Sequence, residues 1–249
     1  MFSYQLYTSR NHPPLVETLK MAADIGFDGI EGYGGVYADD AQVADLAANL
    51  SRFGLTMPTA HFGIDQLEKS PEKVLDIAKK LGIKRIYCPY IVPEDRPNDA
   101  AGWKAWGARL GKAAKPFRAA GYGFGWHNHD FEVTALPDGT FPQDAIFAGD
   151  PDLQWEIDVA WVTRGGADPV KWIEKYAPRI TAAHIKDIAP KGQNLNEDGW
   201  ADVGHGTIDW APIWAALKKT PCDVFILEHD NPSEPARFAR RSLETARTF

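Results

Sequence analysis

Apolar positions along this chain switch between a helical and an alternating period, and the switch repeats. In PPLVETLKMAADIGFDGIEGYG, residues 13–34, apolar side chains first recur at helical spacing. Pro13 and Pro14 open that segment, Gly26 closes it, and FDGIE reads as the strand that follows. PEKVLDIAKKLGIKRIYCPY repeats the arrangement, with a helix from Pro71, a stop at Gly82 and a strand from Ile83. WKAWGARLGKAAKPFRAAGYGFGWH gives it a third time, with the stop at Gly121. Read this way, strands fall near 3–7, 27–31, 55–61, 83–88, 122–127, 153–158, 179–185 and 223–228. Helices fill most gaps, the weakest following the fifth strand.

Strand and helix in alternation predict a parallel sheet. Eight such units in 249 residues, about 31 residues each, match the usual size of a (β/α)8 barrel. No linker or shift in composition divides the chain, so residues 1–249 read as one TIM-barrel domain. The competing fold is an open doubly wound sheet. It would place a Gly-rich nucleotide turn after the first strand, where this chain has TSRNHPP.

Composition narrows the function. The net charge is −7, which gives nothing to attract a phosphate backbone, so nucleic acid is not an expected partner. Two distant cysteines, Cys88 and Cys222, form no CxxC pair and predict a reducing compartment. No basic-then-apolar leader and no membrane-length apolar run is visible, so a cytoplasmic location away from membranes is expected. Nothing in the sequence sets the oligomeric state; a homo-oligomer is among the states left open.

The candidate chemistry lies at the strand ends. Glu31, His61, His127 with His129, Asp158, His184 and Glu228 all end strands, where a TIM barrel carries its active site. A single buried His or Asp there is ordinarily a hydrogen-bonded core residue. Six strands ending this way would bury many carboxylates and imidazoles in one mouth, at a high cost unless something neutralises them. A divalent metal does so, and mixed Asp, Glu and His sets suit Mn²⁺, Zn²⁺, Co²⁺ or Mg²⁺.

HNHDFE, EIDVAW, AAHIKD, GHGTIDW and ILEHD occur in that order. Together with AADIGFDGIE they resemble the xylose-isomerase-like TIM barrels, the sugar-phosphate isomerase/epimerase group with its ketose 3-epimerases, inosose isomerases and inosose dehydratases. The resemblance spans essentially the whole chain. It implies one divalent metal ion held at the ends of strands five to eight. Carried over by motif, Asp158, His184 and Glu228 supply three ligands. Strand five departs from the epimerase pattern: His127-Asn128-His129 stands where Glu-Asn-(His) is usual. The fourth ligand is then Glu132 folding back over the mouth, with His127 as the alternative. Trp161 stands where many epimerases have a substrate-binding His.

The implied substrate is a small keto sugar, sugar phosphate or cyclitol. Removal of the proton beside its carbonyl gives an enediolate. Return of that proton to the opposite face is epimerisation, its return to the adjacent carbon is isomerisation, and loss of a β-hydroxyl is dehydration. His127 or His129 would serve as one acid–base group and Glu228 as the other. Lys186 shares a face with His184 and is expected either to contact substrate or to pair with Asp187 at the surface. His205, Glu31 and His61 are further expected substrate contacts. Trp126 and Trp155 point away from the mouth by alternation and read as core. Three other readings stand beside the isomerase: a keto-cyclitol or 3-keto-sugar dehydratase, a non-catalytic sugar-binding barrel, and an abasic-site endonuclease, which the acidic charge disfavours.

Overall fold

A computed structural model describes residues 1–249. Eight parallel strands close into a barrel: β1 (Phe2–Gln5), β2 (Gly29–Gly32), β3 (Thr56–His61), β4 (Arg85–Cys88), β5 (Gly123–His127), β6 (Gln154–Asp158), β7 (Ile180–Ile185) and β10 (Val224–Leu227). Strand β10 pairs with both β7 and β1 and so completes the ring. Two further short strands, β8 (Asp187–Ile188) and β9 (Trp200–Ala201), pair antiparallel outside it. No helix is long and apolar enough to cross a membrane.

The helix boundaries follow the punctuation of the sequence. Helix α1 (Leu15–Ile25) stops at Gly26, whose φ of 101° is a left-handed conformation that a side chain would strain. Helices α2 (Asp40–Phe53) and α5 (Ala100–Ala119) start on the aspartates Asp39 and Asp99, whose carboxylates accept from backbone N–H groups of the first turn. The weak helical pattern after β5 becomes α6 (Pro142–Gly149), reached through a 3-10 turn at Phe131–Val133. The first strand is shorter than its pattern predicts, because the chain turns into a 3-10 helix from Leu6 to Ser9.

Apolar side chains on the outer face of the barrel pack against the helices in one large core. Inside the barrel, Tyr87, Ala182, Val224 and Ile226 form a separate small apolar plug. Above the plug the interior turns polar. Strand register builds that layer by placing Gln5 beside Glu31, His127 beside Glu156 and Asp158 beside His184.

A buried histidine–carboxylate site beneath an aromatic cavity

Residues 156 and 158 share the inward face of β6, and Trp155 and Ile157 face the helices. Glu156 and Asp158 are therefore both buried inside the barrel, one turn of the pleat apart. Glu156 Oε2 is the meeting point of three imidazoles. His61 Nε2 lies 2.5 Å from it, His127 Nδ1 3.2 Å and His184 Nε2 3.5 Å. The His127 contact lacks hydrogen-bond geometry, which leaves Nδ1 buried without a partner. The four residues bring one donor atom each to within 4.8 Å of one another.

A second group forms beside the first and shares His184. Its Nδ1 lies 2.9 Å from Glu228 Oε2 and 4.0 Å from Asp158 Oδ2. Its Nε2 lies 2.7 Å from Glu31 Oε2, which also accepts from Gln5 Nε2 at 2.7 Å. Lys186 completes the outer group. Its ammonium lies 2.8 Å from Asp230, 3.3 Å from Glu228 and 3.8 Å from Asp158.

Electrostatics differ between the two groups. Burial alone would push the Glu228 carboxyl up, but Lys186 and His184 hold it well below the usual range. Burial would likewise lower His184, and the carboxylates of Glu228, Glu156 and Glu31 carry it well above an ordinary imidazole. Asp158 is pushed up to about 7 by burial, against the pull of Lys186. His127 falls to about 3 through burial and the neighbouring His184. His129 is also held well below its ordinary value, by burial and by His127 and Lys186. Both rings are neutral near pH 7 and able to accept a proton.

Above these groups opens a cavity of about 560 Å³. His61, His127, His129, Glu228 and Asp230 face it, and Tyr7, Tyr33, Tyr90 and Trp161 supply aromatic walls. Asn128, between the two histidines, turns the other way. Its Oδ1 accepts from Asp158 N and from Trp155 Nε1, both at 2.9 Å, and so ties β5 to β6. That contact fixes His127 and His129 on the cavity side.

The structure thus brings together Glu31, His61, His127, Asp158, His184 and Glu228, with His129 and Lys186 beside them. Glu31 and His61 lie within the buried groups, deeper than mouth-lining contacts. Lys186 is buried and does not pair with Asp187 at the surface. Its ammonium stands 4.2 Å from the Trp200 ring and 5.1 Å from that of Trp161.

Two expected site residues lie elsewhere. Glu132 joins neither group: its Oε1 accepts from Trp126 Nε1 and its Oε2 from His129 N, both at 2.9 Å. Its carboxylate is spent closing the turn after β5. His205 is exposed and does not line the cavity. Its neighbours explain the surrounding motif instead. Asp187 accepts from the backbone N–H groups of Ile188, Gly204 and Ile208 and from Trp210 Nε1. A Cβ on Gly206 would come within 2.1 Å of the Asp187 carboxylate. The pair of motifs HIKD and GHGTIDW is therefore a clamp on the loop after β7. Glu156 is the buried group that attention to the last residue of each strand misses. Alternation back from Asp158 on β6 would have found it.

The donor set suits a divalent ion. Glu31 Oε1, Glu156 Oε1, Asp158 Oδ2 and His127 Nδ1 are all buried without a hydrogen-bond partner. Unpaired carboxylate oxygens in a barrel interior are costly unless a cation meets them.

Residues 19–249 match the family described as xylose isomerase-like TIM barrel. A search of the curated proteins gives no match. Among solved structures, a sugar phosphate isomerase/epimerase from Parabacteroides distasonis superposes with a TM-score of 0.81 at 20% identity, covering 98% of this chain and 92% of its own. The probable 3-DHS dehydratase AsbF from Bacillus anthracis gives 0.77 at 15% identity, covering 99% and 98%. The IOLI protein, described with a binding zinc atom, gives 0.72 at 17% identity, covering 98% and 96%. At these identities the likeness establishes the fold.

Proposed function

The chain belongs to the xylose isomerase-like TIM barrels, and we propose that it is a divalent-metal-dependent isomerase or epimerase of a keto sugar or its phosphate. The observation that carries this reading is the convergence of His127, His129 and Glu228 on one cavity, directly above the buried imidazoles and carboxylates. The residues available to hold the ion are His61, His127, Glu156 and His184 in one group and Asp158, His184 and Glu228 in the other. A bound divalent ion would act as a Lewis acid that polarises a substrate carbonyl.

The chain's own residues supply the proton chemistry. Burial keeps His129 neutral, so its ring can accept a proton from the carbon beside that carbonyl. Glu228 stands across the cavity, separated from β5 by β6 and β7, and is held ionised by Lys186 and His184. Two bases on different walls suit removal of a proton on one side of a substrate and its return on another. The tyrosines and Trp161 offer flat apolar faces against which a sugar ring can lie, with the acidic groups below to take its hydroxyls.

Dehydration is the second reading, drawn from the likeness to the probable 3-DHS dehydratase. It asks for an imidazolium to protonate a departing hydroxyl, and burial disfavours the protonated form of both His127 and His129.

The test is to incubate the metal-loaded protein with a panel of free and phosphorylated ketoses and inososes in D₂O. Deuterium appearing beside the carbonyl, with a new epimer or isomer, supports the proposal. An enone with loss of water transfers it to dehydration. Binding of these compounds without any exchange leaves a sugar-binding barrel and ends the enzymatic reading.

A further inference from the structure

A phosphate ester carries a charge of about −1.5 to −2 at pH 7, and its free oxygens seek hydrogen-bond donors. TIM barrels frequently hold such a group on the loops after their last two strands. In this chain the donors of those loops are committed to its own carboxylates. After β7, Asp187 accepts from Gly204 N at 2.8 Å and from Ile208 N at 3.1 Å. After β10, Glu197 accepts from Ser233 N at 2.7 Å, from the Ser233 hydroxyl, and from Arg237 Nη1 and Nη2 at 3.0 and 2.9 Å. A backbone N–H, a hydroxyl and a guanidinium fork are the partners a phosphate would take, and Glu197 already has them. Two further N–H groups of that loop are closed off, His229 N on Thr8 Oγ1 and Asn231 N on the His229 ring.

The cavity repeats the pattern. Its lining holds the carboxylates of Glu228 and Asp230 and no lysine or arginine. The cations nearby are turned to other partners. Lys186 is buried against Asp230. Arg10 donates to the carbonyls of Tyr7 and Asp230, lies 3.9 Å over the Tyr7 ring, and faces a neighbouring cavity beyond Tyr33 together with Asp45. Arg96 donates to Ile91 O and to the Tyr90 hydroxyl and lies 3.7 Å over the Phe131 ring. Arg164 donates to Asp198 O and lies 3.5 Å over the Trp200 ring. Ionised carboxylates only accept hydrogen bonds, so they take hydroxyl donors and repel phosphate oxygens.

We propose that this chain acts on uncharged sugars or cyclitols and rejects their phosphate esters, and that Asp230 sets this preference. The inference rests on the isomerase reading above and narrows its substrate class. Asp230 belongs to neither buried histidine–carboxylate group, and the proton transfer falls to His129 and Glu228. Its Oδ2 holds Lys186, and its side chain remains 22% exposed where it lines the cavity. A sugar hydroxyl placed there finds an acceptor, whereas a phosphate meets a like charge.

The test compares free ketoses with their phosphate esters, D-fructose and D-fructose 6-phosphate among them, on the metal-loaded full chain. Solvent-proton exchange gives kcat and KM, and isothermal calorimetry gives binding. The free form should be favoured by at least about 100-fold in kcat/KM, the scale of setting like charges together in a site. The difference should lie mainly in KM and shrink as salt is raised. Asp230→Asn lowers activity on both forms by weakening the hold on Lys186, but it should narrow their ratio by about 10-fold or more. A purely structural role would lower both alike, and an unchanged ratio removes the assignment to Asp230. A phosphate ester used or bound as well as the free sugar overturns the inference and leaves the isomerase standing. Exchange and binding of neither form end the isomerase reading and the inference with it. The wild-type ratio decides the substrate class even where the variant does not fold.

Discussion

Lys186 Nζ stands 2.8 Å from Asp230 Oδ2, and the edge-to-face pair of Trp161 and Trp200 rings lies 5.1 and 4.2 Å from it. An ammonium buried to this degree is tolerated because three carboxylates surround it. Burial would lower its pKa, and Asp230, Glu228 and Asp158 raise it above that of an ordinary lysine. Lys186→Met keeps the aliphatic stem and removes the charge. Breaking a buried pair from one side leaves the other side uncompensated, so a loss of about 3–5 kcal/mol is expected. Urea unfolding at pH 7 measures it. A change below 1 kcal/mol, on the order of a surface pair, would show that the carboxylates do not depend on Lys186.

Asp187 governs the loop after β7. Its carboxylate receives four donors at 2.8–3.1 Å, three from backbone and one from the Trp210 indole. Asp187→Asn turns an amide N–H toward at least one of those donors. A stability loss of about 2–4 kcal/mol is expected, from charge-assisted bonds lost and a donor left unpaired. The same variant should leave the ion content of the protein unchanged, since Asp187 belongs to neither buried group. Thermal unfolding and metal analysis on one preparation check both statements.

The barrel was legible because alternating helical and strand periods repeat, and because Gly26 and Gly82 end helices as their φ values of 101° and 74° require. The strand-end side chains were legible for the same reason: the last inward position of a barrel strand is fixed by the pleat. What escaped depends on contacts that no period encodes. Glu132 was expected at the metal, but the turn from Asn128 to Glu132 delivers its carboxylate to Trp126 and to the His129 amide instead. Strands β8 and β9 have two residues each, too few to show alternation. His205 looked like a site residue because it sits between two glycines of a specific motif. Those glycines serve Asp187, and the histidine between them points to solvent.

Glu132 also gives the protein a pH dependence of known sign. Burial pushes its carboxyl up to about 8 from an ordinary 4.5, against the pull of the two N–H groups that meet it. The folded state therefore holds this proton more tightly than the unfolded chain does. Its contribution is most favourable below the unfolded pKa and declines as pH rises through the interval up to about 8. The slope is at most about 1.4 kcal/mol per pH unit, the value for one proton. Glu132→Gln removes that slope, and it costs stability at every pH because the amide must set one N–H against His129 N or Trp126 Nε1. Urea midpoints at pH 5, 6.5 and 8 for both proteins give the double difference. Parallel curves for the two proteins would show that Glu132 does not titrate in this range.

His129 is the imidazole that faces the cavity without belonging to either buried group. Its ring stands 5.3 Å from that of Trp161 and 5.0 Å from that of Tyr90, centroid to centroid, so substrate against the aromatic walls comes within its reach. His129→Gln retains a polar side chain of similar length but cannot take up a proton. A loss of about 10²–10⁴-fold in solvent-proton exchange is expected, the usual contribution of a positioned general base. Bound ion and unfolding midpoint should stay close to wild type, which separates this effect from damage to the site below. The wild-type profile supplies a second check. Because burial and His127 hold the His129 ring well below an ordinary imidazole, kcat/KM should stay level as pH falls through 6.5 and decline only at a lower pH. Full exchange activity in His129→Gln would assign the proton transfer to His127 or Glu228 instead, and an acid limb centred at or above 6.5 would show that the His129 ring is not held below an ordinary imidazole.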